Sequence, residues 1–128
     1  MELFDNHAHY NDEKFNDDRD EIIKEIYNSG VTRLISAGYS LESSKQNIEL
    51  TRKYDFIYTI VGISPNDIPG KVQDEDIKNM TDEEIAEEFQ NCLKNVDNQL
   101  SEIENLALDN KKVVAIGEIR TWLLLEQE

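Results

Sequence analysis

The chain has 128 residues, with 28 Asp and Glu against 13 Lys and Arg and a formal net charge of −15. That length allows at most one ordinary domain, and no apolar run of about eighteen residues or more is there to form a membrane-spanning helix. The acidic balance excludes a passive nucleic-acid binder, which needs clustered basic side chains against phosphates, so a polyanionic substrate would require metal cations at the site.

In chain order, residues 2–5 predict a short first strand. From residue 11 to 28, Phe15, Ile22, Ile23, Ile26 and Tyr27 recur at helical spacing until Gly30 stops the run. The β-branched and aliphatic stretch 31–37 predicts a second strand, Ser40 offers an N-cap for a helix to about Tyr54, and the almost continuously apolar 56–61 predicts a third strand covered on both faces. Pro65, Asn66, Asp67, Pro69 and Gly70 mark a loop over residues 63–80. Thr81-Asp82-Glu83-Glu84 then has the form of a capping box, and Ile85, Phe89, Cys92, Leu93, Val96, Leu100, Ile103 and Ala107 draw an apolar stripe. As one rod that helix would be about 40 Å long, so a break near Asp97-Asn98 is expected. Residues 112–118 predict the fourth strand.

The order β-α-β-α-β-α-β calls for parallel strands, either in an open doubly wound sheet or in part of a (β/α)8 barrel, with chemistry gathered at the carboxyl ends of the strands. Neither G-x-G-x-x-G after the first strand nor G-x-x-x-x-G-K-[ST] occurs, so nucleotide-binding readings lose their main support. A single cysteine, Cys92, permits no internal disulfide, and its register on the helix predicts simple burial rather than a reactive thiol. The opening residues lack the basic flank and apolar run of a signal peptide, so a reducing, cytoplasmic setting is expected.

The sharpest chemical signal is Phe4-Asp5-Asn6-His7-Ala8-His9-Tyr10, which holds both histidines of the chain. On a strand, alternate side chains share a face, so His7 and His9 would point the same way and could grip one metal ion. The bland reading is two histidines closing a strand edge and bonding to backbone or solvent. Glu118, at the end of the fourth strand, would be brought toward the pair by a parallel barrel.

With those residues in place the chain resembles the TatD family of metal-dependent deoxyribonucleases, which are amidohydrolase-like (β/α)8 barrels. The matching stretches are Phe4 to Asp12, Gly30 to Gly38, Leu41-Glu42-Ser43-Ser44, Val61-Gly62-Ile63-Ser64-Pro65-Asn66 and Lys112 to Ile119, in the family's order. The resemblance covers residues 1–119, apart from an expanded acidic segment at about 71–96. It implies the first four strands of the barrel, half of a (β/α)8 TIM fold, and a divalent-metal hydrolase that cuts phosphodiester bonds of DNA or a related ester. By motif match, His7 and His9 would ligate one metal, and Glu118 would be a catalytic carboxylate ligand able to bridge to a second. The complete family site holds two divalent ions, of zinc, manganese or magnesium.

Three departures from the family pattern stand out. Ser64 occupies a position where many relatives have histidine, and it is expected to shape the turn. The match ends at Ile119, and residues 120–128 form a non-family tail. The second half of the barrel, with its later histidines and aspartate, is absent, so a truncated chain without the family's full activity on its own is expected, with self-association through bare sheet edges. Leu123-Leu124-Leu125-Glu126-Gln127 can be encoded as TTA TTA CTG GAA CAA, and one base later the same string reads TAT TAC TGG AAC, or Tyr-Tyr-Trp-Asn, the family's usual continuation. A frameshift just after Ile119 is the expectation this raises. Two other readings stand beside the leading one: another metal-dependent phosphoesterase or amidohydrolase-like enzyme, and a non-catalytic acidic β/α interaction module.

Overall fold

The computed structural model describes residues 1–68, 70 and 74–117. The fourth-strand carboxylate Glu118 and the 120–128 tail lie outside the described residues. Among the described residues eight regular elements follow one another: β1 (Leu3–Ala8), α1 (Arg19–Asn28), β2 (Val31–Ala37), α2 (Leu41–Lys53), β3 (Ile57–Val61), α3 (Asp74–Ile77), α4 (Asp82–Asp109) and β4 (Val113–Ile116), with a 3-10 turn at Glu13–Phe15.

The sheet has the order β1-β2-β3-β4, and every neighbouring pair is parallel. In β2 and β3, Leu34 pairs in register with Ile57, and both are buried against Ile23 of α1 and Leu50 of α2. Val61, on the same face of β3 as Ile57, is buried against Ile48 of α2 and Ile103 of α4. The three long helices therefore pack on one face of a sheet whose strands follow chain order. A doubly wound sheet reverses its strand order at a switch point and carries helices on both faces, so this is the winding of a barrel segment. Burying each such aliphatic side chain contributes about 1.5–3 kcal/mol.

Local chemistry moves three boundaries. The expected helix from residue 11 begins only at Arg19, because the guanidinium of Arg19 donates to the main-chain oxygens of Tyr10, Asn11 and Asp12 and to Asn16 Oδ1. Those carbonyls are held by a cation, and the segment between forms a 3-10 turn with Asp12 as its N-cap, the Asp12 carbonyl also accepting the Phe15 N–H. The break expected near Asp97-Asn98 is absent: α4 runs unbroken for 28 residues, with no Pro or Gly in it and its N-terminus closed by the Thr81/Glu84 capping box. The loop over 63–80 contains the single turn α3.

The stripe of α4 is also less covered than its period predicts. Ile103 is buried, but Phe89 is 59% exposed and Leu93 41%, and Cys92 is half-buried rather than fully enclosed. Only the C-terminal part of the helix lies on the sheet: Ile103, Leu106 and Ala107 join the core there, and Leu100 is 47% exposed. Among the described residues no helix is long and apolar enough to cross a membrane.

Candidate metal centre

The carboxyl end of β1 carries the histidine pair, with His7 in the strand and His9 one residue past its last position. Strand alternation brings the two rings together, with centroids 5.0 Å apart and planes at 80°. Their Nε2 atoms are 3.2 Å apart. Behind His9, Nδ1 lies 3.0 Å from the main-chain oxygen of Ala37 at the end of β2. A carbonyl only accepts, so Nδ1 carries the proton and donates it, which leaves the Nε2 lone pair directed toward His7.

That arrangement fits the donor geometry of a metal ion. Two nitrogens each about 2.0–2.1 Å from one tetrahedral ion lie about 3.3 Å apart, close to the observed spacing. Backbone orientation of a ligating imidazole through its second nitrogen is the usual support for such a site. Among the described residues no group of three or more His, Cys, Asp or Glu converges, so the pair supplies two donors there. Gly117, the last described residue, donates its N–H to Val61 O at 3.1 Å at the end of β3.

The surroundings fix the pair further. Asp5 Oδ1 accepts the His7 main-chain N–H at 3.1 Å. Tyr39 meets the His9 ring edge-on, with centroids 5.7 Å apart. Burial, with the Asp5 charge second, pushes the neighbouring Tyr10 hydroxyl above its ordinary value. The main-chain N–H of Lys14 holds the Asp12 carboxyl below its ordinary range. At the end of β2, a Cβ added to Gly38 would meet Ser44 Oγ at 2.5 Å and Ile60 O at 3.0 Å, so only glycine lets the strand end sit this close to α2 and β3. Ser64 is 7% exposed. Its Oγ accepts the Asn66 N–H at 3.1 Å, and its own N–H donates to Tyr39 O, so it holds the turn after β3 beside the tyrosine that packs on His9. Sequence reading finds neither Tyr39 nor the Ala37 carbonyl. The only available signal was their place at the end of the strand next to β1.

The chain has relatives among known proteins. The chain is 31% identical over 117 residues to the uncharacterized metal-dependent hydrolase YabD of Bacillus subtilis, covering 91% of this chain and 36% of that protein. It is 28% identical over 111 residues to the uncharacterized metal-dependent hydrolase MJ1582 of Methanocaldococcus jannaschii, covering 87% and 39%. It is 29% identical over 65 residues to the 3'-5' ssDNA/RNA exonuclease TatD of Shigella flexneri, covering 51% and 25%. The chain thus spans well under half the length of these relatives. The family model described as TatD related DNase matches residues 4–119, from the strand that carries the histidines to the residue after Glu118. A match over that span, on a parallel sheet wound in chain order, means that the chain belongs to the TatD related DNase family.

Proposed function

We propose that the chain acts as a divalent-metal-dependent hydrolase of phosphodiester or related ester bonds, with His7 and His9 holding one ion and Glu118 as a carboxylate ligand that bridges to a second. The observation that carries this reading is the orientation of His9: Nδ1–H donates to the Ala37 carbonyl, which leaves Nε2 as an acceptor 3.2 Å from His7 Nε2, close to the spacing of two donors on one tetrahedral ion. When bound, a divalent ion makes water more acidic and offsets the negative charge that grows on a phosphoryl oxygen. In a chain with a formal net charge of −15, such an ion also relieves the repulsion of a polyanionic substrate. Tyr39 and Asp5 act as positioning residues, holding the His9 ring and the His7 backbone. The printed name of the Shigella flexneri relative favours single-stranded nucleic acid as the substrate, and zinc, manganese and magnesium are the ions to try.

A thermal melt of the full chain with and without each ion, beside a His7→Ala/His9→Ala double variant, tests the site. The expected result is a metal-dependent rise in Tm in the parent that is lost in the variant, because an ion that binds only the folded state stabilises it. No rise with any of the three would leave the acidic interaction module as the better reading. For a chain that does bind metal, hydrolysis of a single-stranded oligonucleotide is compared with that of a small phosphate ester. A preference for the small ester would move the assignment to another phosphoesterase.

A further inference from the structure

At the other end of the strands, where β2 and β3 begin, lies a concavity of about 740 Å³. That is within the range of about 300–1,000 Å³ usual for small-ligand sites. Its lining is unlike the rest of the molecule. Tyr27, Tyr54 and Phe56 supply aromatic surface, and Lys24, Arg33 and Lys53 supply three cations. In a chain where acids outnumber bases 28 to 13, the one acid among the described lining residues is Asp55, and its carboxylate sits 3.5 Å from Lys112 Nζ.

The rings are already ordered. Tyr27 and Phe56 have centroids 4.8 Å apart at 51°, and Tyr54 and Phe56 are 6.3 Å apart at 70°. Lys53 donates to Asp20, whereas the charge of Lys24 acts on Asp20 only at a distance and Arg33 lines the concavity from β2. A preformed aromatic wall beside a group of cations suits a planar ring that carries negative charge, since each half of such a ligand finds its own partner.

We propose that this concavity binds a small aromatic anion of the nucleoside-monophosphate type, at a site separate from the histidine pair. The ring lies against Tyr27 and Phe56, and the phosphate is held by Arg33 and Lys24.

The test is a calorimetric titration of the full chain with deoxyadenosine monophosphate in the presence of a chelator, so that no metal ion can recruit the phosphate elsewhere. Saturable one-to-one binding is expected, weakened about tenfold or more by Arg33→Glu and by Tyr27→Ala, and unchanged in the His7→Ala/His9→Ala variant. Deoxyadenosine alone and inorganic phosphate alone should each bind at least about tenfold more weakly than the monophosphate. Both lining residues are exposed enough for these variants to fold, and an unchanged Tm verifies it. Arg33→Gln replaces Arg33→Glu if the latter melts early. The proposal is overturned by an absence of saturable binding, by affinity that survives the Arg33 variant, by affinity lost in the histidine variant, or by inorganic phosphate binding as tightly as the nucleotide. None of these readouts depends on hydrolysis, so the result stands apart from the activity proposed above.

Discussion

His9 divides its two ring nitrogens between two tasks, and the division is set by a group that no letter of the sequence spells. The carbonyl of Ala37 accepts the Nδ1–H hydrogen bond, and because a main-chain oxygen looks the same at every position, only the fold says which one arrives there. The His-x-His itself was legible, since strand alternation alone puts both side chains on one face. A second three-residue arrangement can be probed by pH. Asp20 accepts from Lys53 Nζ at 2.7 Å and from the Tyr54 hydroxyl at 2.5 Å, and this joins the start of α1 to the end of α2. The Lys53 hydrogen bond, followed by that of Tyr54, holds the Asp20 carboxyl below its ordinary 3.8. The same bond raises Lys53 above its ordinary 10.5. A carboxyl whose folded pKa is lowered adds stability above its unfolded pKa, and loses it as pH falls through the folded value. An ammonium whose pKa is raised adds stability below its unfolded pKa and loses it as pH rises through the folded value. The pair is therefore at full strength between pH 3.8 and 10.5. An Asp20→Asn variant should melt below the parent by a constant small margin across the neutral range, and the two curves should converge below pH 3.8. A margin that stays the same into strong acid would mean the carboxylate charge plays no part. Both partners are solvent-exposed, so the margin is modest and shrinks with salt.

At the scale of an element, α4 shows what helical period can and cannot say. Its start was legible because the Thr81/Glu84 box is local chemistry, and both reciprocal hydrogen bonds form. Which part of its stripe would be covered was not legible, because that depends on where a 28-residue rod meets a sheet whose strands are four to seven residues long. The helix overreaches the sheet, so Ile103 is buried at 2% exposure while Phe89 stays 59% exposed. The start of α1 was hidden for a similar reason: the apolar spacing from Phe15 is helical, but Arg19 captures the carbonyls that a helix from residue 11 would have used. The contrast along α4 gives a direct measurement. By urea unfolding, Ile103→Ala should cost about 2–4 kcal/mol, the loss of a buried aliphatic group plus the cavity it leaves. Phe89→Ser, on the same stripe about four turns earlier, should stay within about 0.5 kcal/mol, as exposed substitutions do. Equal losses at the two sites would show that something covers the N-terminal half of α4 in solution. The far end of the helix is tied down differently, since Lys112 donates to the carbonyls of Thr51, Tyr54 and Asp55 and so places a cation at the C-terminus of α2, where the helix dipole favours one.

For the molecule as a whole, two forces oppose each other. Strand order and winding followed from the alternation of elements, but the exposure of the edges follows only from the assembled sheet. Among the described residues, Phe4 on β1 is 60% exposed, and Val114 and Ile116 on β4 are 51% and 58% exposed. Both strands are at the edges of the sheet, where unpaired backbone groups and apolar side chains invite another chain. Against this stands a formal net charge of −15 on every copy. Repulsion between such copies reaches about 30 Å at 0.01 M salt and only about 3 Å at 1 M, whereas the attraction of apolar surface survives salt. Self-association should therefore be switched on by ionic strength. Sedimentation velocity at about 0.01 M salt is expected to give a monomer of 14.9 kDa, with larger species growing in as salt approaches about 1 M. A Phe4→Ser/Ile116→Ser variant should remain monomeric throughout. Association strongest at low salt would instead point to pairing between opposite charges, and a mass that never departs from the monomer would mean that the edge residues hold no second chain.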